Sequence, residues 1–115
     1  METVMWTFKT RNFTVEWAIA PCEYLDLSWD EDGDVRDHLD AGVWEAFDSV
    51  VRVYYRGREI GADYLGQSIY ENPADFRDHI GMNGKGHGSY FSDMVRCAIA
   101  EARKALADAP RLRAA

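Results

Sequence analysis

Two runs near the N-terminus alternate. Val4, Trp6 and Phe8 fall on one side against Met5, Thr7 and Lys9, and Phe13, Val15, Trp17 and Ile19 fall on one side against Thr14, Glu16 and Ala18. A period of two on both flanks of Thr10-Arg11-Asn12 predicts a β-hairpin with one buried face. Pro21 has no N–H to donate and interrupts the second run, after which Leu25, Leu27 and Trp29 alternate with Tyr24, Asp26 and Ser28, predicting an edge segment. Phe47, Val51, Val53 and Tyr55 alternate with Asp48, Val50, Arg52 and Tyr54. Arg56-Gly57 then offers a two-residue turn into residues 58–64, where Ile60, Ala62 and Tyr64 share a face, so a second hairpin is predicted.

From Tyr90 the period changes. Phe91, Met94, Val95, Ala98, Ile99, Ala102 and Leu106 recur at three and four, drawing one apolar stripe down a helix that Ser89 can cap and that ends near Asp108, ahead of Pro110. Asn72-Pro73 opens a short helix over residues 73–80, favoured by Asp75 in the first turn and closed by Gly81. Residues 35–39 form another short helix closed by Gly42. Strands in hairpins, with no βαβ alternation, predict an α+β fold of two layers. An antiparallel sheet of about four strands (two hairpins) carries a short helix and a long C-terminal helix on one face. The expected core is Trp6, Phe8, Val15, Trp17, Val51, Val53, Phe91, Val95, Ile99 and Ala102. A chain of 115 residues fits one domain, expected over 1–109 with a frayed tail at 110–115.

Charge changes this picture more than composition does. The formal net charge is −7. Residues 23–48 hold ten carboxylates and one base, Arg36, so that window alone carries −9 and the remainder is nearly neutral. An acidic chain is poorly suited to holding a nucleic-acid backbone, and acidic surfaces meet basic partners. Cys22 and Cys97 have no local pairing, and neither a signal peptide nor a long apolar run is visible, so the expectation is a cytoplasmic protein with free thiols and no membrane contact.

Candidate chemistry is sparse. Ser28-x-Asp30-x-Asp32-Gly33 copies the first half of an EF-hand loop, but the twelfth position is Leu39 where a bidentate Glu is required. His38, His79 and His87 share no ligand spacing, the cysteines make no CxxC, and Gly86-His-Gly-Ser89 is not a nucleophile elbow. No metal, no cofactor and no enzymatic activity are expected. The acidic window reads either as a solvated loop or as a docking surface. In the second reading Tyr24, Trp29 and Trp44 are anchors among Asp26, Asp30, Glu31, Asp32, Asp34 and Asp37. An alternative binding site is the loop before the last helix. There Lys85, Gly86, His87, Gly88 and Ser89 place a cation and flexible amides near a helix N-terminus, which suits a nucleotide or other phosphate compound; a plain flexible connection explains the same glycines. If the chain pairs with itself as a homodimer, the last helix or a free strand edge is the place.

The strings Trp6-Thr-Phe-Lys-Thr-Arg-Asn-Phe13, Ala46-Phe-Asp-Ser49 leading to Gly57-Arg-Glu-Ile-Gly61, and Tyr90-Phe-Ser-Asp-Met-Val-Arg96 with Ala100-Glu-Ala-Arg103 resemble small accessory proteins of temperate phages (prophages) of proteobacteria. The resemblance spans most of the chain and departs most at residues 81–88. It implies an origin and names no functional residue. By analogy with phage accessory proteins that bind host proteins, it points to a host protein with a basic surface as partner. An anti-CRISPR-like inhibitor of a nucleic-acid-binding host-defence complex, acting in the host cytoplasm, is one form such a protein takes.

Overall fold

The computed structural model describes residues 1–78 and 90–108. Four strands, β1 (Thr3–Lys9), β2 (Thr14–Pro21), β3 (Glu45–Tyr55) and β4 (Arg58–Tyr70), form one antiparallel sheet in the order β1-β2-β3-β4. A short helix α1 (Asp34–Asp40) lies between β2 and β3, and α2 (Asp75–Asp78) and α3 (Tyr90–Asp108) follow the sheet. The α+β class and the antiparallel sheet with its long C-terminal helix are as the patterning predicts. The first hairpin closes through Thr10, whose N–H donates to the Phe13 carbonyl at 2.8 Å while its hydroxyl accepts the Phe13 N–H at 3.0 Å. The second turns at Arg56 (φ 51°) and Gly57 (φ 79°), the left-handed pair that matches the twist of a two-residue hairpin.

On the helix-facing side, Phe13 just ahead of β2, Val15 and Trp17 of β2, and Phe47, Val51 and Val53 of β3 are buried with Phe91, Met94, Ala98 and Ala102 of α3. Trp17 sits at the centre, 1 % exposed, with its indole N–H satisfied by Ser49 Oγ at 3.2 Å. Trp6, Val95 and Ile99 pack on this cluster half-buried. Phe8, expected inside, is 41 % exposed: β1 is an edge strand and α3 lies chiefly over β4 and β3, so the Phe8 ring rests on Trp6 at 5.1 Å.

Five expectations need correction. Val4 does not share a face with Trp6 and Phe8, because Val4 pairs with Ala18 while Trp6 pairs with Trp17, and the extra residue, Met5, reverses parity. Leu25, Leu27 and Trp29 form no strand; β2 ends at Pro21 and the chain leaves the sheet there, since proline cannot donate to a ladder. β4 runs on to Tyr70, past the 58–64 expected for it. Ile60, Ala62 and Tyr64 do not share a face, because Val53 pairs with Gly61 while Tyr54 pairs with Glu59, and the extra residue, Ile60, reverses parity. Ala62 and Tyr64 therefore lie beside Arg52 and Val50 on the face opposite α3. Finally, α2 begins at Asp75, two residues late, because the turn before it is tightened by bonds from Asp75, Phe76 and Arg77 to the carbonyls three residues back; Asn72 caps that turn as expected, its side chain accepting the Ala74 N–H at 3.1 Å. The closing Gly81, the Ser89 cap and the expected tail at 110–115 lie outside the described residues.

The face away from α3 carries an ion-pair cluster in which three carboxylates surround one arginine. Arg52 donates to both oxygens of Glu2 at 2.7 Å and has Glu59 at 3.2 Å and Glu16 at 3.6 Å. The hydrogen bonds from Arg52 hold the Glu2 carboxyl below the usual carboxylate range.

Candidate functional site

The acidic window forms an arm, from Cys22 to Trp44, fastened to the sheet at one end and closed on itself at the other. At its root the Cys22 N–H donates to the Ala46 carbonyl at 3.3 Å. The Asp26 N–H donates to Gln67 Oε1 at 3.0 Å, and the Gln67 N–H donates to Asp48 Oδ1 at 2.9 Å. Gln67 sits at φ 57°, in the bulge where the register slips between Phe47 and Ser49. That irregularity breaks the period of β4, and it also turns a glutamine side chain toward the arm. Burial, then the hydrogen bond and charge of Asp48, push the Cys22 thiol up, so it is a poor nucleophile.

Within the arm, two acids have structural work. The Asp26 carboxylate accepts the Ser28 N–H at 2.9 Å, which lowers its pKa, and its carbonyl accepts the Trp29 indole N–H at 2.8 Å. Asp30 receives the Val35 N–H on Oδ1 at 3.3 Å and the Arg36 N–H on Oδ2 at 3.1 Å, capping α1, whose own N-cap Gly33 has no side chain to do so. The far end closes in a Schellman pattern: the Gly42 N–H reaches the Leu39 carbonyl at 3.1 Å and the Val43 N–H reaches the His38 carbonyl at 2.9 Å. The His38 ring donates from Nδ1 to the Asp34 carbonyl at 2.6 Å and stacks on Trp44, centroids 4.2 Å apart and 15° from parallel.

α1 has no buried residue. Removing its cap should therefore be felt locally. Asp30→Ala is expected to cost about 1 kcal/mol and to raise hydrogen exchange at the Val35 and Arg36 amides. Glu31→Gln should leave both unchanged. Equal exchange in the two variants would take Asp30 out of the capping role.

The anchors and acids read from sequence therefore divide. Glu31, Asp32, Asp34 and Asp37 are exposed, and among the described residues no ion pair holds them. Tyr24 is 86 % and Trp29 is 59 % exposed, while Trp44 is half-buried. Trp29 and Trp44 come together, lining a groove of about 220 Å³ with Val35, Ile69, Tyr70 and Glu71; Tyr24 is not part of it. The last three of those residues escape the sequence reading because the pattern predicts β4 only as far as Tyr64. The β-forming pair Ile69-Tyr70 beyond Gly66-Gln67 was the signal for a strand that resumes after a bulge.

Among the described residues no group of three or more His, Cys, Asp or Glu is arranged to hold a metal ion, and no helix is long and apolar enough to cross a membrane. The alternative site at Lys85, Gly86, His87, Gly88 and Ser89 lies outside the described residues. Comparison of the chain with protein-family models, with curated proteins and with solved structures returned no match.

Proposed function

We propose that this is a non-enzymatic binding protein that docks the acidic arm onto a basic surface of a host protein. The observation that carries this reading is the contrast between two clusters of charge. Around Arg52 three carboxylates share one guanidinium, whereas Glu31, Asp32, Asp34 and Asp37 stand exposed and, among the described residues, without any ion-pair partner, on the arm that also carries the exposed Trp29 held by its indole hydrogen bond. Unpaired like charges on one arm cost self-repulsion, which a basic partner relieves. The resemblance to phage accessory proteins supports a host protein as that partner. Carboxylates presented in this way also suit an anti-CRISPR-like inhibitor that occupies a groove built for phosphates.

The test is kinetic. A partner captured from host lysate is purified, and its association is measured across salt concentrations. Neutralising Glu31, Asp32, Asp34 and Asp37 should lower the on-rate on the order of tenfold at low salt and flatten its salt dependence, because those charges steer the encounter. Asp30 is left intact, since its loss would perturb α1 as well. Trp29→Ala should act mainly on the off-rate. A partner whose association ignores both salt and the four neutralised acids would overturn the reading.

A further inference from the structure

The groove between Trp29 and Trp44 is more specific than an acidic surface requires. Both indoles are fixed before any partner arrives, Trp29 by its N–H bond to the Asp26 carbonyl at 2.8 Å and Trp44 by its stack on His38 at 4.2 Å. Holding an exposed aromatic ring in place removes entropy that binding would otherwise have to cost. The volume of about 220 Å³ falls below the roughly 300 to 1,000 Å³ of drug-sized ligand pockets, so it suits one extended side chain. Val35 and Ile69 add apolar lining, Glu71 adds an exposed carboxylate, and Asp30, Glu31 and Asp32 follow Trp29 directly in the chain. An apolar side chain would use the rings and waste the charge. A guanidinium uses both, since it is planar, weakly hydrated, stacks on indole and presents several N–H donors to a carboxylate.

We infer that this groove receives one arginine side chain of the basic protein partner, stacked on tryptophan and paired with Glu71. The inference rests on the arm being a surface for a basic protein, and names the residue that surface reads. Lysine is the weaker fit, because its compact ammonium keeps its water more tightly and has no plane to stack.

The experiment uses the full chain with an arginine hexapeptide and a lysine hexapeptide, followed by calorimetry and by NMR of the indole N–H signals. The arginine peptide should shift the Trp29 and Trp44 signals, leave buried Trp17 in place, and bind several-fold tighter than the lysine peptide. Trp29→Leu, which keeps apolar area and loses most of the π face, and Glu71→Gln should each weaken the arginine peptide about tenfold. Both positions are exposed, so neither change removes core. Equal affinity for the two peptides would overturn the guanidinium assignment. Arginine binding with unmoved indoles and unchanged variants would overturn the groove while leaving the acidic-arm reading intact. So would absence of peptide binding alongside salt-dependent association of the captured host partner. Failure of that reading itself shows separately, as association indifferent to salt.

Discussion

Gly61→Ala is expected to destabilise the domain by about 3 kcal/mol, and Gly61→Val by more, although both residues favour a strand more than glycine does. The reason lies in how closely α3 crosses β4. A Cβ placed on Gly61 would run into the Ala98 carbonyl oxygen and would stand 2.8 Å from the Ala102 nitrogen and 3.1 Å from the Ala102 Cβ. Two of those atoms are helix backbone, so no side-chain rotation relieves the contact and the whole helix must lift. Ala98 and Ala102 are both fully buried. Lifting α3 would open the layer that Phe91 and Met94 fill, and close-packed interiors do not yield without loss. Gly57→Ala is the control: Gly57 has a positive φ of 79° but open space around it, so that change should cost only about 1 kcal/mol of backbone strain. The measurement is the urea midpoint at constant slope. A Gly61→Ala midpoint no lower than that of Gly57→Ala would mean that α3 does not rest on β4 at this distance.

Gly61 also shows where sequence reading stops. Alternation found both hairpins, and the three-four stripe found α3, because those periods follow from burying one face and depend little on which neighbour does the burying. A bulge breaks that logic. One unpaired residue at Ile60 moves Ala62 and Tyr64 to the open face and brings Gly61 under the helix, and nothing in residues 58–64 marks the slip. The second bulge, with Gln67 at φ 57°, hid the end of β4 and with it Ile69, Tyr70 and Glu71 of the groove. Within the arm, carboxylate count and aromatic neighbours were legible, but the division of labour was not. Asp30 and Glu31 are adjacent acids, yet only the fold shows that the first is consumed by α1 and the second is exposed. Capping five and six residues ahead is too long a span for the usual N-cap pattern to suggest.

Phe76→Ala is expected to cost about 3 to 5 kcal/mol, although no pattern along the chain marks Phe76 as important. α2 is a single turn of four residues, too short to show any period, so one phenylalanine within it carries no pattern. In the fold it is 2 % exposed and meets four rings, Trp17 at 5.6 Å, Tyr70 at 5.7 Å, Phe47 at 5.9 Å and Phe91 at 6.3 Å, three of them edge-on. Such aromatic pairs are worth about 0.5 to 1.5 kcal/mol beyond the area they bury. Against a typical domain stability of about 5 to 15 kcal/mol, losing this ring should bring the variant close to unfolding. Phe76→Leu keeps most of the volume and should recover part of the loss. A cost below about 1 kcal/mol for the alanine change would remove Phe76 from the core. The effect should also reach the groove, because Tyr70 touches Phe76 and lines the groove with Trp29 and Trp44. Burial, then the charges of Tyr90 and Asp75, push the Tyr70 phenol up, so the stability tied to its neutral form is full below the ordinary tyrosine value of about 10 and is lost as pH rises through the folded value. In Phe76→Leu, which remains folded, the Tyr70 ring signal should titrate nearer that ordinary value and arginine-peptide affinity should fall with it. An unchanged titration would mean that Phe47, the other ring against Tyr70, holds it in place without help from α2.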